Sequence, residues 1–424
     1  MSEVTKPLFK DETGQDVVRV LGEIRNAIGG TDTKKTYGFI EHMDVLAPGS
    51  RIEYIGANKT FDPISIDKSA HTYDLGEWAN FEWLEKNKPY MVHSNGVADY
   101  ALNPKDYTKK ADGTASDVAN ASYDGGAFAW AQKIYKRETT SGDKRKVEFS
   151  MVKQDGFEPV GFIGKDGNEL EGKWIPMFYA SVANNKATCI SGTQPSASLT
   201  TDAQKTAVEA FGDRANFLGG PFVETLIDLM ILFAKTTDLQ GFYGNGNMSG
   251  YVNDSTKYYG VLANAVVGGG QFYGTTDGKS LNKIFHSVVL GTYQQWMRDP
   301  YEICVNGKVK VSKDYSIDLT GVSYTDTGIT AVAASAAYYD KLKTVDGYGA
   351  VPVAPYSGTS ATGVCDAIWV NVTIVAVCLR FGNANNGLND GPRARNWNNT
   401  ASNATWSLGF AVLLDSPVNT APAV

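Results

Sequence analysis

Few residues in this chain could do reactive chemistry. Among its 424 residues are only four histidines (His42, His71, His93, His286) and four cysteines (Cys189, Cys304, Cys365, Cys378), scattered far apart. No GxSxG, HExxH or GxxxxGK[ST] pattern occurs, and no CxxC or His pair has the short spacing zinc requires. The cysteines therefore read as buried free thiols. Residues 268–274 have the glycines of a phosphate loop but not its lysine, and read as a turn. The Asp-Gly pairs at Asp112, Asp124, Asp155, Asp166 and Asp277 are turn formers too, outside any acidic ladder of the EF-hand kind.

Recognition chemistry is better represented. Residues 381–410 read FGNANNGLNDGPRARNWNNTASNATWSLGF, with eight asparagines from Asn383 to Asn403. Asparagine offers donors and an acceptor without charge and tolerates left-handed backbone, so such a loop can hold turns and bind a ligand. Arg393, Arg395, Trp397 and Trp406 stand among them, and Trp and Arg are the types that most often carry interface energy. The stretch predicts a contact surface on a rigid frame, with those four residues as its chief ligand contacts.

The elements around it follow from periodicity. Residues 13–28, ended by Gly29-Gly30, predict a short helix whose Val17, Leu21, Ile24 and Ile28 form a heptad-like seam. It either docks on its own domain or bundles with copies from other subunits. Residues 37–123 are mixed and turn-rich, and the polar loop 109–117 predicts a domain boundary just after it. Residues 127–137 and 146–152 alternate like a hairpin joined at 139–143. Residues 201–211 and 221–235 predict two core-supporting helices, the second with Pro at its first turn. Residues 240–247 and 268–274 read as loops, 301–311 as a strand interrupted at Asn306-Gly307, and 367–380 and 408–414 as strands.

Bulk properties bound the rest. A charge of −7 and no long basic block argue against nucleic-acid binding. The first residues lack the basic-then-apolar order of a signal peptide, and no apolar run is long enough to span a bilayer, so cytoplasmic synthesis without membrane insertion is expected.

At residues 379–391 (LRFGNANNGLNDG), 396–399 (NWNN), Ser402-Asn403 and 408–410 (LGF), the chain resembles the variable proteins of diversity-generating retroelements. Weaker resemblance extends through residues 149–180, 191–194, 239–244 and Cys365-Asp366, covering about 123–414. Those proteins carry a C-type-lectin fold of the formylglycine-generating-enzyme type, and a reverse transcriptase recopies one segment with errors at adenines.

The resemblance implies an α+β fold in four parts: residues 1–30, a helix for oligomerisation or attachment; 31–123, a β-rich N-terminal domain; 124–414, a C-type-lectin-like domain of mixed and antiparallel strands with two supporting helices and a variable region at 381–406; and 415–424, a tail. It implies a fixed frame of Gly382, Asn386, Gly387, Gly391, Asn396, Asn398, Asn399, Ser402, Gly409 and Phe410. The displayed, diversified positions would be Phe381, Asn383, Ala384, Leu388, Asp390, Pro392, Arg393, Ala394, Arg395, Trp397, Thr400, Ala401, Ala404, Thr405 and Trp406. Phe381 and Ala384 depart from the usual Gly and Trp.

The function so implied is binding without catalysis: a phage tail-tip adhesin, located in the virion tail and homotrimeric, that meets a host cell-surface protein or glycan alongside other tail proteins. No cofactor is expected, and calcium is left open. The alternatives are a capsid or baseplate protein with a lectin-like decoration domain, and an oxidase of the formylglycine-generating type. The spacing of Cys365 and Cys378 does not reproduce that of the oxidases.

Overall fold

A computed structural model describes residues 34–248 and 270–422. The expected helix at 13–28 lies outside the described residues.

Strand Trp296–Val305 is buried along nearly its whole length, as expected of a strand covered on both faces. It turns at Asn306-Gly307, both left-handed (φ 48° and 83°), into Lys308–Val311. Two consecutive positive φ values are what a tight hairpin turn needs, and Asn-Gly supplies them at least cost. On its other side it pairs antiparallel with Val375–Arg380, which pairs with Arg395–Trp397. Ala367–Val370 runs parallel to that strand, and Ala334–Tyr338 and Thr325–Thr330 form the edges of this eight-stranded sheet. Leu408–Gly409 joins it beside Trp296.

A seven-stranded sheet runs in the order Ala215–Phe217, Val412–Asp415, Gly172–Pro176, Gly125–Gln132, Pro89–His93, Ala98–Asn103, Asp106–Lys110. A four-stranded sheet holds Ile52–Gly56, Tyr37–His42, Lys144–Ser150 and Tyr135–Ser141. The chain is thus mixed α+β and strand-rich, with one sheet curled into a half-barrel.

Two expected boundaries do not separate packed units. Tyr37–His42 pairs with Lys144–Ser150 and Pro89–His93 with Gly125–Gln132, so both smaller sheets draw strands from each side of residue 123. One apolar core runs from Phe39 to Leu414. The polar loop 109–117 marks only the exposed end of an edge strand, because a polar run reports solvent contact and not a break in the core. Asp415, expected to open the tail, ends a strand and is paired with Lys173.

The two expected helices are present as Thr201–Phe211 and Gly220–Ala234. Thr200 caps the first, its hydroxyl accepting from Ala203 N–H at 3.2 Å. Every residue of the second is buried, as an all-round apolar helix must be. Its sequence nevertheless contains Glu224 and Asp228, one turn apart.

Several local expectations need correction. The hairpin is Tyr135–Ser141 with Lys144–Ser150, while Gly125–Gln132 crosses into the other sheet. Residues 240–247 begin inside a short helix, Leu239–Tyr243, capped by Asp238. Residues 272 and 273, within a stretch expected to be a plain turn, form a short strand. Residues 367–380 break into two strands, and 408–414 contribute to two different sheets. No helix among the described residues is long and apolar enough to cross a membrane. All four cysteines are free and buried, as expected.

Candidate binding face

The asparagine-rich stretch enters from Val375–Arg380, makes a loop at 381–394, forms strand Arg395–Trp397, loops again at 398–407 and leaves through Leu408–Gly409. Two segments of it reach solvent. At the first tip, Asn385 and Leu388 are exposed, Leu388 by 56%, and the short 3-10 turn Gly387–Asn389 is anchored where Tyr338 Oη donates to Asn389 Oδ1 at 2.6 Å. In the second, Asn398, Ser402, Ala404 and Thr405 are exposed, with Thr400, Ala401 and Trp406 half-buried. Its backbone is pinned to the body at Thr201 N to Ala401 O (2.9 Å) and Ser198 N to Thr405 O (3.0 Å).

Between them the chain dives inward. Arg393, Arg395 and Trp397, expected as display residues, are buried. Successive strand side chains point to opposite faces. Arg395 and Trp397 therefore share the core face, and Arg393 is turned inward two residues before them.

Each of the three meets carboxylates. Arg393 grips Glu41 with both terminal nitrogens, at 3.1 and 3.2 Å. Arg395 Nε donates to Glu302 at 3.1 Å, and its NH2 group to Glu224 and to the Ala350 carbonyl. Trp397 Nε1 donates to the same Glu302 oxygen at 2.8 Å.

These contacts belong to two buried ionic clusters joined by helix Gly220–Ala234. In the first, Glu41, Glu138 and Asp228 meet Arg51, Lys136, Arg145 and Arg393; Arg145 holds both oxygens of Asp228 at 2.7 Å. In the second, Glu224, Asp299 and Glu302 meet Arg380 and Arg395. Six carboxylates thus face six bases, and with every group charged the clusters together sum to zero.

Burial pushes the Glu302 carboxyl up, but Arg380 and Arg395 outweigh it and hold it at about 2. Glu41 is likewise held far below the carboxylate range, Arg393, Arg51 and Arg145 overcoming its burial. Asp299, which accepts from Gly220 N–H at the start of the helix, is raised by burial despite Arg380.

Six other expected display positions are also buried: Phe381, Asn383, Ala384, Asp390, Pro392 and Ala394. Phe381 packs into the main core, and Asp390 Oδ1 holds the loop by accepting from Asn383 N–H and Asn386 Nδ2, both at 3.1 Å. Leu388, Thr400, Ala401, Ala404, Thr405 and Trp406 are the expected positions that reach solvent. No protein-family model and no curated protein matches the chain.

The residues expected as frame have framing contacts. A Cβ on Gly382 would lie 1.7 Å from Asp390 Oδ1, one on Gly391 2.0 Å from Asp366 Oδ1, and one on Gly409 2.3 Å from Gln295 Oε1. Asn396 Oδ1 accepts from Asn398 N–H and Asn399 Nδ2, and Asn399 Oδ1 from Asn403 Nδ2. Most of the asparagines are thus bonded to one another and hold the turns. The anchoring carboxylates Glu41, Glu224, Asp228 and Glu302 were missed in the sequence. Glu224 and Asp228 carried a signal, since two acids one turn apart in an otherwise apolar helix require buried cations opposite them.

Thiolate chemistry is disfavoured at Cys365 and Cys378. Burial pushes the Cys365 thiol up to about 12 and Cys378 well above its ordinary value.

Proposed function

We propose that this chain is a receptor-binding adhesin of a phage tail tip, in which a C-type-lectin-type frame carries a face recoded by a diversity-generating retroelement. One observation carries the reading. Buried arginines clamp the middle of the asparagine-rich stretch, while the segments on either side of it stay at the surface. A loop so held loses little conformational entropy when a partner binds, and its exposed side chains can change without unfolding the core. The face consists of Leu388, Thr400, Ala401, Ala404, Thr405 and Trp406. The nine buried positions among those first expected to vary are withdrawn from it.

The partner is a host cell-surface protein or glycan. Three copies joined through residues 17–28 would turn modest single-site affinity into avidity. The test is binding of the full chain to host cells, with Leu388→Ser and Trp406→Ser combined. Binding is expected to fall roughly tenfold or more, as for loss of interface anchor residues, with the melting temperature unchanged. Unchanged cell binding would remove the reading. So would sibling phage sequences that are identical at these six positions while differing elsewhere.

A further inference from the structure

Strand Ala215–Phe217 stands at one edge of the seven-stranded sheet, paired with Val412–Asp415. Its outer side is met by side chains instead of by another strand. Lys165 Nζ donates to the Ala215 carbonyl, and Phe217 N–H donates to Tyr301 Oη at 3.1 Å. A cavity of about 120 Å³ opens beside this strand, with Val208, Phe217 and Tyr315 as its apolar walls.

Two polar groups lining the cavity have hydrogen-bonding capacity left over. Asn216 is 1% exposed; its Nδ2 donates to the Arg214 carbonyl at 3.4 Å, but its Oδ1 has no donor. Tyr301 is fully buried and accepts from Phe217 N–H, and no described acceptor takes its own proton. Burial holds that hydroxyl well above its ordinary range, so it keeps the proton and stays a donor. The free acceptor sits on Asn216 and the free donor is anchored on Phe217, the next residue of the strand.

Where the cavity reaches solvent it meets Lys165, Lys205 and Glu209. Lys205 is paired with Glu209 at 3.1 Å, while Lys165 has the neutral Ala215 carbonyl as its partner. Two ammonium groups against one carboxylate leave these three residues with a single positive charge in excess.

We propose that this cavity binds a compact hydroxy acid: a ring-sized apolar body with a hydroxyl at its inner end and a carboxylate at the mouth. The hydroxyl donates to Asn216 Oδ1 and accepts from Tyr301, and it is the smallest group that does both. A buried acceptor left without a donor is costly, so a ligand that supplies one is favoured there. Cavities of about 150 Å³ hold a benzene ring, and a ring on that scale fits here with its charged end outside, beside Lys165. Small-molecule sites have this make-up, apolar walls with a few polar groups that fix orientation. The cavity lies about two helical turns along Thr201–Phe211 from Thr201, where that helix pins the recognition segment. It needs nothing of the adhesin reading.

The full chain is titrated with 4-hydroxybenzoate, benzoate and phenol by calorimetry and thermal melting. 4-Hydroxybenzoate is expected to bind once per chain and to raise the melting temperature. Benzoate lacks the hydroxyl and phenol the carboxylate, and each should bind roughly fivefold or more weakly, the scale of one lost hydrogen bond. Asn216→Ala should weaken 4-hydroxybenzoate by a similar factor. Lys165→Met changes an exposed side chain, so it folds even if the strand variant does not; it should weaken 4-hydroxybenzoate and leave phenol as it was. No heat and no thermal shift at about 10 mM 4-hydroxybenzoate would overturn the site. Equal binding of the three probes would overturn it too, by showing a merely apolar slot. If Asn216→Ala binds 4-hydroxybenzoate as the parent does, water and not a ligand serves the amide, and the proposal fails.

Discussion

Residues 390–397 and residues 398–407 adjoin in sequence and draw on a similar palette of Asn, Trp and small residues, yet they meet opposite surroundings. The first segment is buried throughout, with Arg393, Arg395 and Trp397 bonded to Glu41, Glu224 and Glu302. The second lies at the surface, held by backbone hydrogen bonds and by asparagines bonded to one another. Residue type therefore does not decide which side chain is offered to a partner. The same guanidinium that would anchor an interface also anchors a core when carboxylates wait behind it.

The contrast breaks most visibly at Glu224, which serves both Arg380 and Arg395. Glu224→Ala takes one carboxylate from two buried guanidinium groups that keep Glu302 and, for Arg380, Asp299, and removing one partner from a buried ionic arrangement typically costs about 3–5 kcal/mol. Urea denaturation should show the loss, and a loss below about 1 kcal/mol would mean the clamp is slack. Acid acts next. Glu302 is depressed from 4.5 to about 2 in the folded chain, so its stabilisation is complete above 4.5 and disappears as the pH falls toward 2. That amounts to on the order of 3 kcal/mol. Glu302→Gln should flatten the acid limb of the stability profile, and an unaltered limb would place the sensitivity elsewhere.

Gly382→Ala comes third. Gly382 has φ 111°, and its new Cβ would run into the Asp390 carboxylate, so about 1–3 kcal/mol should be lost from overpacking and backbone strain. A midpoint equal to the parent's would show that the loop can shift. The smallest effect belongs to the surface: Leu388→Ser and Trp406→Ser should each alter stability by no more than about 0.5 kcal/mol. A larger drop at Trp406 would move it from the display side of the comparison to the clamp side.

Much of the architecture was legible in the sequence. The helices Thr201–Phe211 and Gly220–Ala234 announced themselves by apolar periodicity, the second also by Pro221 at its first turn, and Asn306-Gly307 by its turn chemistry. These are local signals, and local physics makes them. What escaped depends on distance along the chain. The pairing of Tyr37–His42 with Lys144–Ser150 is invisible to any short window, so a polar loop near 109–117 passed for a domain boundary.

The burial of Arg393, Arg395 and Trp397 escapes a short window for a related reason. Arg393, Arg395 and Trp397 alternate with Ala394 and Asn396, a period of two that marks one strand face, whereas their residue types alone point to a contact surface. Which face looks inward is settled by Glu41 and Glu302, remote in sequence. Gly382, Gly391, Asn396 and Asn399, expected as frame, sit at close approaches and in side-chain amide bonds, because tight turns and side-chain amides leave a local mark.

The bond between Arg393 and Glu41 spans 352 residues, and during synthesis that span becomes a schedule. A ribosome delivers Glu41, Arg145 and Asp228 long before it delivers the guanidinium that grips Glu41. A chain cut short before residue 393 lacks Arg395 as well, which leaves Glu224, Asp299 and Glu302 with Arg380 as the one remaining base of their cluster, and such a chain is expected to fold poorly and to be open to proteases. On that expectation truncated products are cleared early, and the chains that persist are those in which the loop at 381–394 has been made and locked in place.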